Sequence, residues 1–159
     1  MEQSIYKTKR SKNYFMIKWF QQKPETEQDT ITTEIAIVCI LIYAAKIDGE
    51  YSDSEKKLIR LCLQNWLTEQ NDSYFDKLIN KCETMVDDSL QILHFTKKLK
   101  ELEYSDRLSI IQMILEVIYS DKKIHEYEDN FIRRLAGLIY VEDKDIGDIK
   151  ILLKKRLNL

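Results

Sequence analysis

Three glycines and one proline in 159 residues leave this chain almost without breakers, and that scarcity limits its fold more than any motif does. Sheets need tight turns, and tight turns draw on glycine, proline and asparagine for their special dihedrals. Helices need few such residues and lose stability where they occur. Apolar residues recur at three- and four-residue spacings along most of the sequence, and no stretch alternates convincingly with period two. The chain therefore reads as all-α, a single bundle of about seven helices.

The elements follow from caps and periodicity. The first helix is expected from Glu27 to Ile47, with Ile31, Ile35, Val38, Ile42 and Ala45 on one face. Residues 48–51 (Asp-Gly-Glu-Tyr) break it, and Ser52-Asp-Ser-Glu55 then has the pattern of a capping box. The second helix continues through Leu58, Cys62, Trp66 and Leu67. Asn71-Asp72-Ser73 opens a third, with Phe75, Leu78, Ile79, Cys82 and Val86 facing inward. A fourth covers 89–102 with Leu90, Leu93, Leu99 and Leu102. A fifth starts at Ser105 and Asp106, carries Leu108, Ile111, Ile114 (or Leu115) and Ile118, and ends at Asp121. The sixth is expected over 125–139 and the seventh from Asp143 to Leu157, where Lys154, Lys155 and Arg156 suit the negative end of the helix dipole.

Composition excludes several classes. A net charge of -2 argues against a surface built to coat nucleic acid. Cys39, Cys62 and Cys82 are odd in number, far apart and set among apolar residues, so they read as core residues in a reducing cytoplasm, neither disulfide nor zinc ligands. The most apolar run, Ile35 to Ala45, is much shorter than the roughly 20 residues of a membrane span. Residues 1–26 form a separate basic and aromatic segment with its linker, ahead of a helical domain at 27–159. In that segment Lys7, Lys9, Arg10, Lys12, Lys18 and Lys23 oppose Glu2 alone, around the aromatic stretch Tyr14–Phe20. Lys18, Trp19 and Phe20 suit contact with a partner or with a membrane surface, where rings sit among headgroups and cations meet anionic lipid. The competing reading folds the segment onto the bundle over an apolar groove.

The most informative feature is a repeat. Residues 48–60 align with 121–133: Asp48 falls on Asp121, Glu55 on Glu128, Ile59 on Ile132 and Arg60 on Arg133. Both halves thus read helix, acidic loop, helix. Turn and cap chemistry explains each acid singly, since aspartate closes turns and glutamate at the third helical position completes a capping box. The alternative is a cation site. Ca²⁺ or Mg²⁺ needs several hard oxygens, more than one such loop supplies. Two loops packed about a pseudo-twofold axis could combine Asp48, Glu55, Asp121 and Glu128, with Glu50 or Glu126 close by. The spacing is not that of an EF-hand, because the glycine follows Asp48 directly.

Ala44-Ala45-Lys46-Ile47-Asp48-Gly49-Glu50 followed by Glu55, and Tyr119-Ser120-Asp121 running through Glu128 to Phe131-Ile132-Arg133-Arg134-Leu135-Ala136, resemble the signature of TerB-like (tellurite-resistance-like) proteins. The likeness spans roughly residues 30–157 and includes the segments around His94 and Val141–Asp145. It implies a duplicated all-helical fold, a link to tellurite resistance or stress response, and a divalent-cation site at the repeated acids. A related domain precedes the J-domain in some membrane-attached co-chaperones, which implies a protein-interaction role. The second loop departs from the pattern, with Lys122 and Lys123 in place of a glycine and an acid. Two lysines there would oppose a cation.

No catalytic constellation emerges. His94 follows Leu90 by four residues and reads as a core or boundary histidine, and His125 as a helix start. Neither has a serine or cysteine partner at a known spacing, and no glycine-rich phosphate loop exists. The expected function is a non-enzymatic, stress-associated interaction module of the cytoplasm or the inner membrane face. It would take a Ca²⁺ or Mg²⁺ ion at the repeated acids and an unidentified protein partner. The alternative is a peripheral membrane scaffold anchored by its N-terminal segment.

Overall fold

A computed structural model of the chain describes residues 31–47, 49, 51–67, 70–87, 92–121 and 126–158, with the side chain of residue 121 left aside. Seven α-helices and one 3₁₀ turn account for most of these residues, and no strand occurs among them. Helix α1 spans Thr33–Ala45, α2 Asp53–Trp66, α3 Asp72–Val86, α4 Ile92–Leu99 and α5 Tyr104–Ile118. The 3₁₀ turn Tyr119–Asp121 extends α5, and α6 (Glu126–Leu138) and α7 (Asp143–Leu157) complete the bundle.

The starts are set by side-chain caps. Thr32 Oγ1 accepts from the Ile35 amide at 3.2 Å, so α1 begins at Thr33 and not, as its periodicity suggests, at Glu27. Ser52 and Glu55 form the expected capping box. Asn71 Oδ1 accepts from the Tyr74 amide at 2.9 Å. Between α6 and α7, Tyr140 adopts a left-handed φ of 56° and the Val141 amide returns to the Ala136 carbonyl at 2.9 Å, closing the helix end as αL caps do.

Helix α1 is apolar all round, as expected of a helix with neighbours on every side. Every residue from Ile35 to Ile42 is buried, and so are Ala44 and Ala45. It packs against α2, α3, α4 and α5, with α6 reached through Tyr43 and Phe131. Burying one Ile or Leu here contributes roughly 1.5–3 kcal/mol, which makes α1 the axis of the hydrophobic core.

Contacts at the helix ends fix directions. Tyr74 Oη donates to Glu34 at 2.6 Å where α1 and α3 begin, and Lys46 pairs with Asp87 at 2.8 Å where they end. Tyr104 donates to Asp145 at the start of α5 and α7, and Arg156 pairs with Glu116 at 2.8 Å near their ends. So α1 runs parallel to α3, and α5 parallel to α7. The order of elements follows the sequence repeat. Helices α1, α2 and α3 correspond to α5, α6 and α7, with α3 and α7 of equal length, 15 residues each. Among the described helices, α4 alone stands outside the duplication.

Two expectations fail on α4. His94 is exposed, and so is Leu93. The buried face is carried by Phe95, Thr96 and Leu99, which rotates Leu93 and His94 outward. The helix is also shorter than expected: Lys100 and Glu101 form a turn after Leu99, and residues 88–91 lie outside the description.

Candidate functional site

The helix ends that flank the two acidic loops lie at one end of the bundle. Tyr43, in the last turn of α1, lies 5.3 Å from Phe131, ring centre to ring centre, in the second turn of α6. Helix α6 leads back from the second loop, so the end of α1 and the start of α6 share a level. The termini of α3 and α7 reach that same end through the Lys46–Asp87 and Arg156–Glu116 pairs.

The first loop turns at Gly49, whose φ of 85° favours glycine. Of the four acids singled out in the sequence, Glu55 is fully described. Its Oε2 accepts from the Ser52 amide and from Ser52 Oγ, both at 2.8 Å, so the capping role is real. Around it lies a network that sequence reasoning did not reach. Tyr51 Oη donates to Glu83 Oε1 at 3.0 Å, Lys56 Nζ pairs with the same oxygen at 2.8 Å, and Lys46 stands 5.5 Å over the Tyr51 ring. Burial and the Glu83 carboxylate push the Tyr51 hydroxyl well above its ordinary range. Glu83 lies in α3 and Asp87 caps its end, and no local pattern announces that they return to the first loop.

Around the second loop the polar groups are more deeply enclosed. Glu128, in the first turn of α6, is 5% exposed and is the one buried carboxylate among the described residues. Its neighbour Asp129 pairs with Lys150 of α7 at 2.6 Å. Tyr119, where α5 tightens into the 3₁₀ turn, is 1% exposed, and its hydroxyl has no hydrogen-bond partner among the described residues. Burial and the charges of Asp129 and Glu128 push that hydroxyl up to about 12. In the repeat Tyr119 occupies the position of Lys46, so a buried phenol in one half replaces an ammonium in the other.

Asp48, Glu50 and the Asp121 side chain lie outside the described residues, as do Lys18, Trp19 and Phe20. Among the described residues no group of three or more His, Cys, Asp or Glu is placed to hold a metal ion. Glu55 and Glu128 are the two of the four acids that the structure locates, both in first helical turns beside the loops.

The cysteines are all buried thiols. The hydrogen bond with Cys39, followed by burial, holds the Cys82 thiol far above its usual range, and burial pushes Cys62 up to about 11. Neutral, enclosed thiols are poor nucleophiles, in keeping with the core role expected from sequence.

Duplicated helix, acidic loop, helix units at one end of an all-helical bundle are accompanied by a sequence match to the family described as Tellurite resistance protein TerB, over residues 34–151. The chain belongs to the TerB family. The match runs from the first turn of α1 into α7, and so includes both acidic loops of the TerB domain. No curated protein and no solved structure matches the chain significantly. No helix among the described residues is long and apolar enough to cross a membrane.

Proposed function

We propose that this TerB domain is a non-enzymatic, stress-associated interaction module whose paired acidic loops share one divalent cation. The duplication carries this reading: corresponding loops, each with its aspartate and its helix-first-turn glutamate in sequence, join helices whose flanking ends lie at one end of the bundle. A hard ion such as Ca²⁺ or Mg²⁺ is favoured because every donor is an oxygen. Asp48, Glu55, Asp121 and Glu128 would hold it, and its charge would join the two halves of the repeat. Membership of a family that is in general not enzymatic supports a binding role.

The surroundings argue for weak affinity. Lys122 and Lys123 stand in the second loop, Lys46 and Lys56 flank the first, and each opposes a cation. A dissociation constant of about 10⁻⁴–10⁻³ M, the range of weak calcium modules, is expected. Such a site responds to changes in cation level and does not hold its ion permanently.

Thermal unfolding of the whole chain in EDTA, and then with excess Ca²⁺, Mg²⁺, Mn²⁺ or Zn²⁺, tests the proposal. Ligand at 100 times its dissociation constant adds about 2.7 kcal/mol to the native state. A rise in Tm with one cation that disappears in the Asp48→Asn, Asp121→Asn double variant supports the site. The absence of any shift leaves the acids as caps and turns.

A further inference from the structure

The duplication is incomplete in one respect. Helix α4 directly precedes α5 in the chain and packs on α1 and α6, yet it has no described counterpart on the other half. Helix α1, which packs on both α3 and α4, buries Ile35, Ala36, Cys39 and Ile40. The corresponding positions of α5 are Leu108, Ser109, Gln112 and Met113, and none of them is fully buried. Beside this face α2 presents Leu61, 55% exposed, where the other half has the cation Arg134.

The correspondence of α1 and α2 with α5 and α6 states what should lie there. If α4, the element before α5, covers α1 and α6, then the element before α1 should cover α5 and α2. We infer that the apolar segment Tyr14–Phe20 of this same chain is that cover, seated on the α5–α2 face as α4 is seated on α1 and α6. Its composition fits the task. Tyr14, Phe15, Met16, Ile17, Trp19 and Phe20 bring apolar surface to Leu61, Leu108 and Met113, and Lys18 is available to the rim carboxylate Glu116. Reach is no obstacle. Residues 21–32 can span about 40 Å when extended, whereas the helices of the bundle are roughly 20 Å long. The basic aromatic segment then completes the fold of this chain, and its rings are withdrawn from any membrane.

The whole chain with Trp66→Phe has Trp19 as its sole tryptophan and provides the probe, with circular dichroism to verify the helical bundle. The expected result is blue-shifted Trp19 emission and quenching by acrylamide several-fold below that in urea. Ser109→Arg or Leu61→Asp, each on a surface that tolerates it if uncovered, should shift the emission to the red and restore quenching. Emission of a fully solvated indole, unmoved by either substitution, overturns the inference. So does a blue shift that appears only on adding vesicles containing anionic lipid, which would make the membrane the occupant.

Discussion

Replacing Tyr119 by phenylalanine should make the protein more stable. The Tyr119 ring is fully enclosed at the end of α5, and its hydroxyl has no hydrogen-bond partner among the described residues. Leaving a buried hydroxyl unpaired costs about 1–3 kcal/mol relative to solvating it. Phenylalanine keeps the ring contacts and removes that cost, so a gain of about 1–2 kcal/mol is expected once imperfect repacking is allowed for. In a chain of this size each kcal/mol moves Tm by roughly 2–4 °C, so the rise should be about 2–8 °C. Calorimetry in EDTA, with urea titration as a second measure, reads it. The partner control is Tyr104→Phe at the other end of the same helix, where the hydroxyl donates to Asp145 and accepts from the Glu142 amide; that change should lower Tm. A fall in Tm for Tyr119→Phe in EDTA would refute the reasoning, by showing that in solution the hydroxyl has a partner such as an enclosed water.

Further expectations follow from the same contacts. Ser52→Ala removes one side of the capping box and should cost about 1 kcal/mol in urea titration. Ile114→Ala, at 0% exposure in α5, should cost about 2–5 kcal/mol. Burial raises the Glu34 carboxyl above its ordinary 4.5, the Tyr74 hydrogen bond opposing it in part. A raised folded-state pKa gives stability that is present at low pH and lost as pH rises through it. Glu34→Gln should therefore flatten the dependence of Tm on pH above 4.5. A disulfide reagent of the Ellman type should label the three thiols of the native chain far more slowly than those of the urea-unfolded chain.

Much of the fold was legible because the signals are local. The Asn71 cap, the Ser52–Glu55 box and the apolar face of α3 depend on spacings within one helix, and all three occur as read. The unbroken run Ile35 to Ala45 marked a buried helix, and α1 is enclosed on all sides. The misreading of α4 has an equally local cause. With Leu90, Leu93, Leu99 and Leu102 as candidates the stripe is ambiguous by about one residue's rotation, and Phe95 and Thr96 settled which side turned inward. For the site, sequence reached the repeated acids but not what surrounds them. Glu83, Asp87 and Lys150 approach the loops from α3 and α7, and only the parallel packing of α1 with α3 and of α5 with α7 brings them there. The enclosure of Tyr119 gives no sequence signal either, since a tyrosine after an apolar helix is as often on the surface.

Stoichiometry tests the shared cation site most directly. Isothermal titration of the EDTA-stripped chain with Ca²⁺ and with Mg²⁺, repeated for Asp48→Asn and Asp121→Asn singly, should show one ion per chain for one of the two metals and loss of that heat in either variant. Two ions per chain, each abolished by its own substitution alone, would make the loops independent sites, and no heat with either metal would leave the repeated acids as caps and turns.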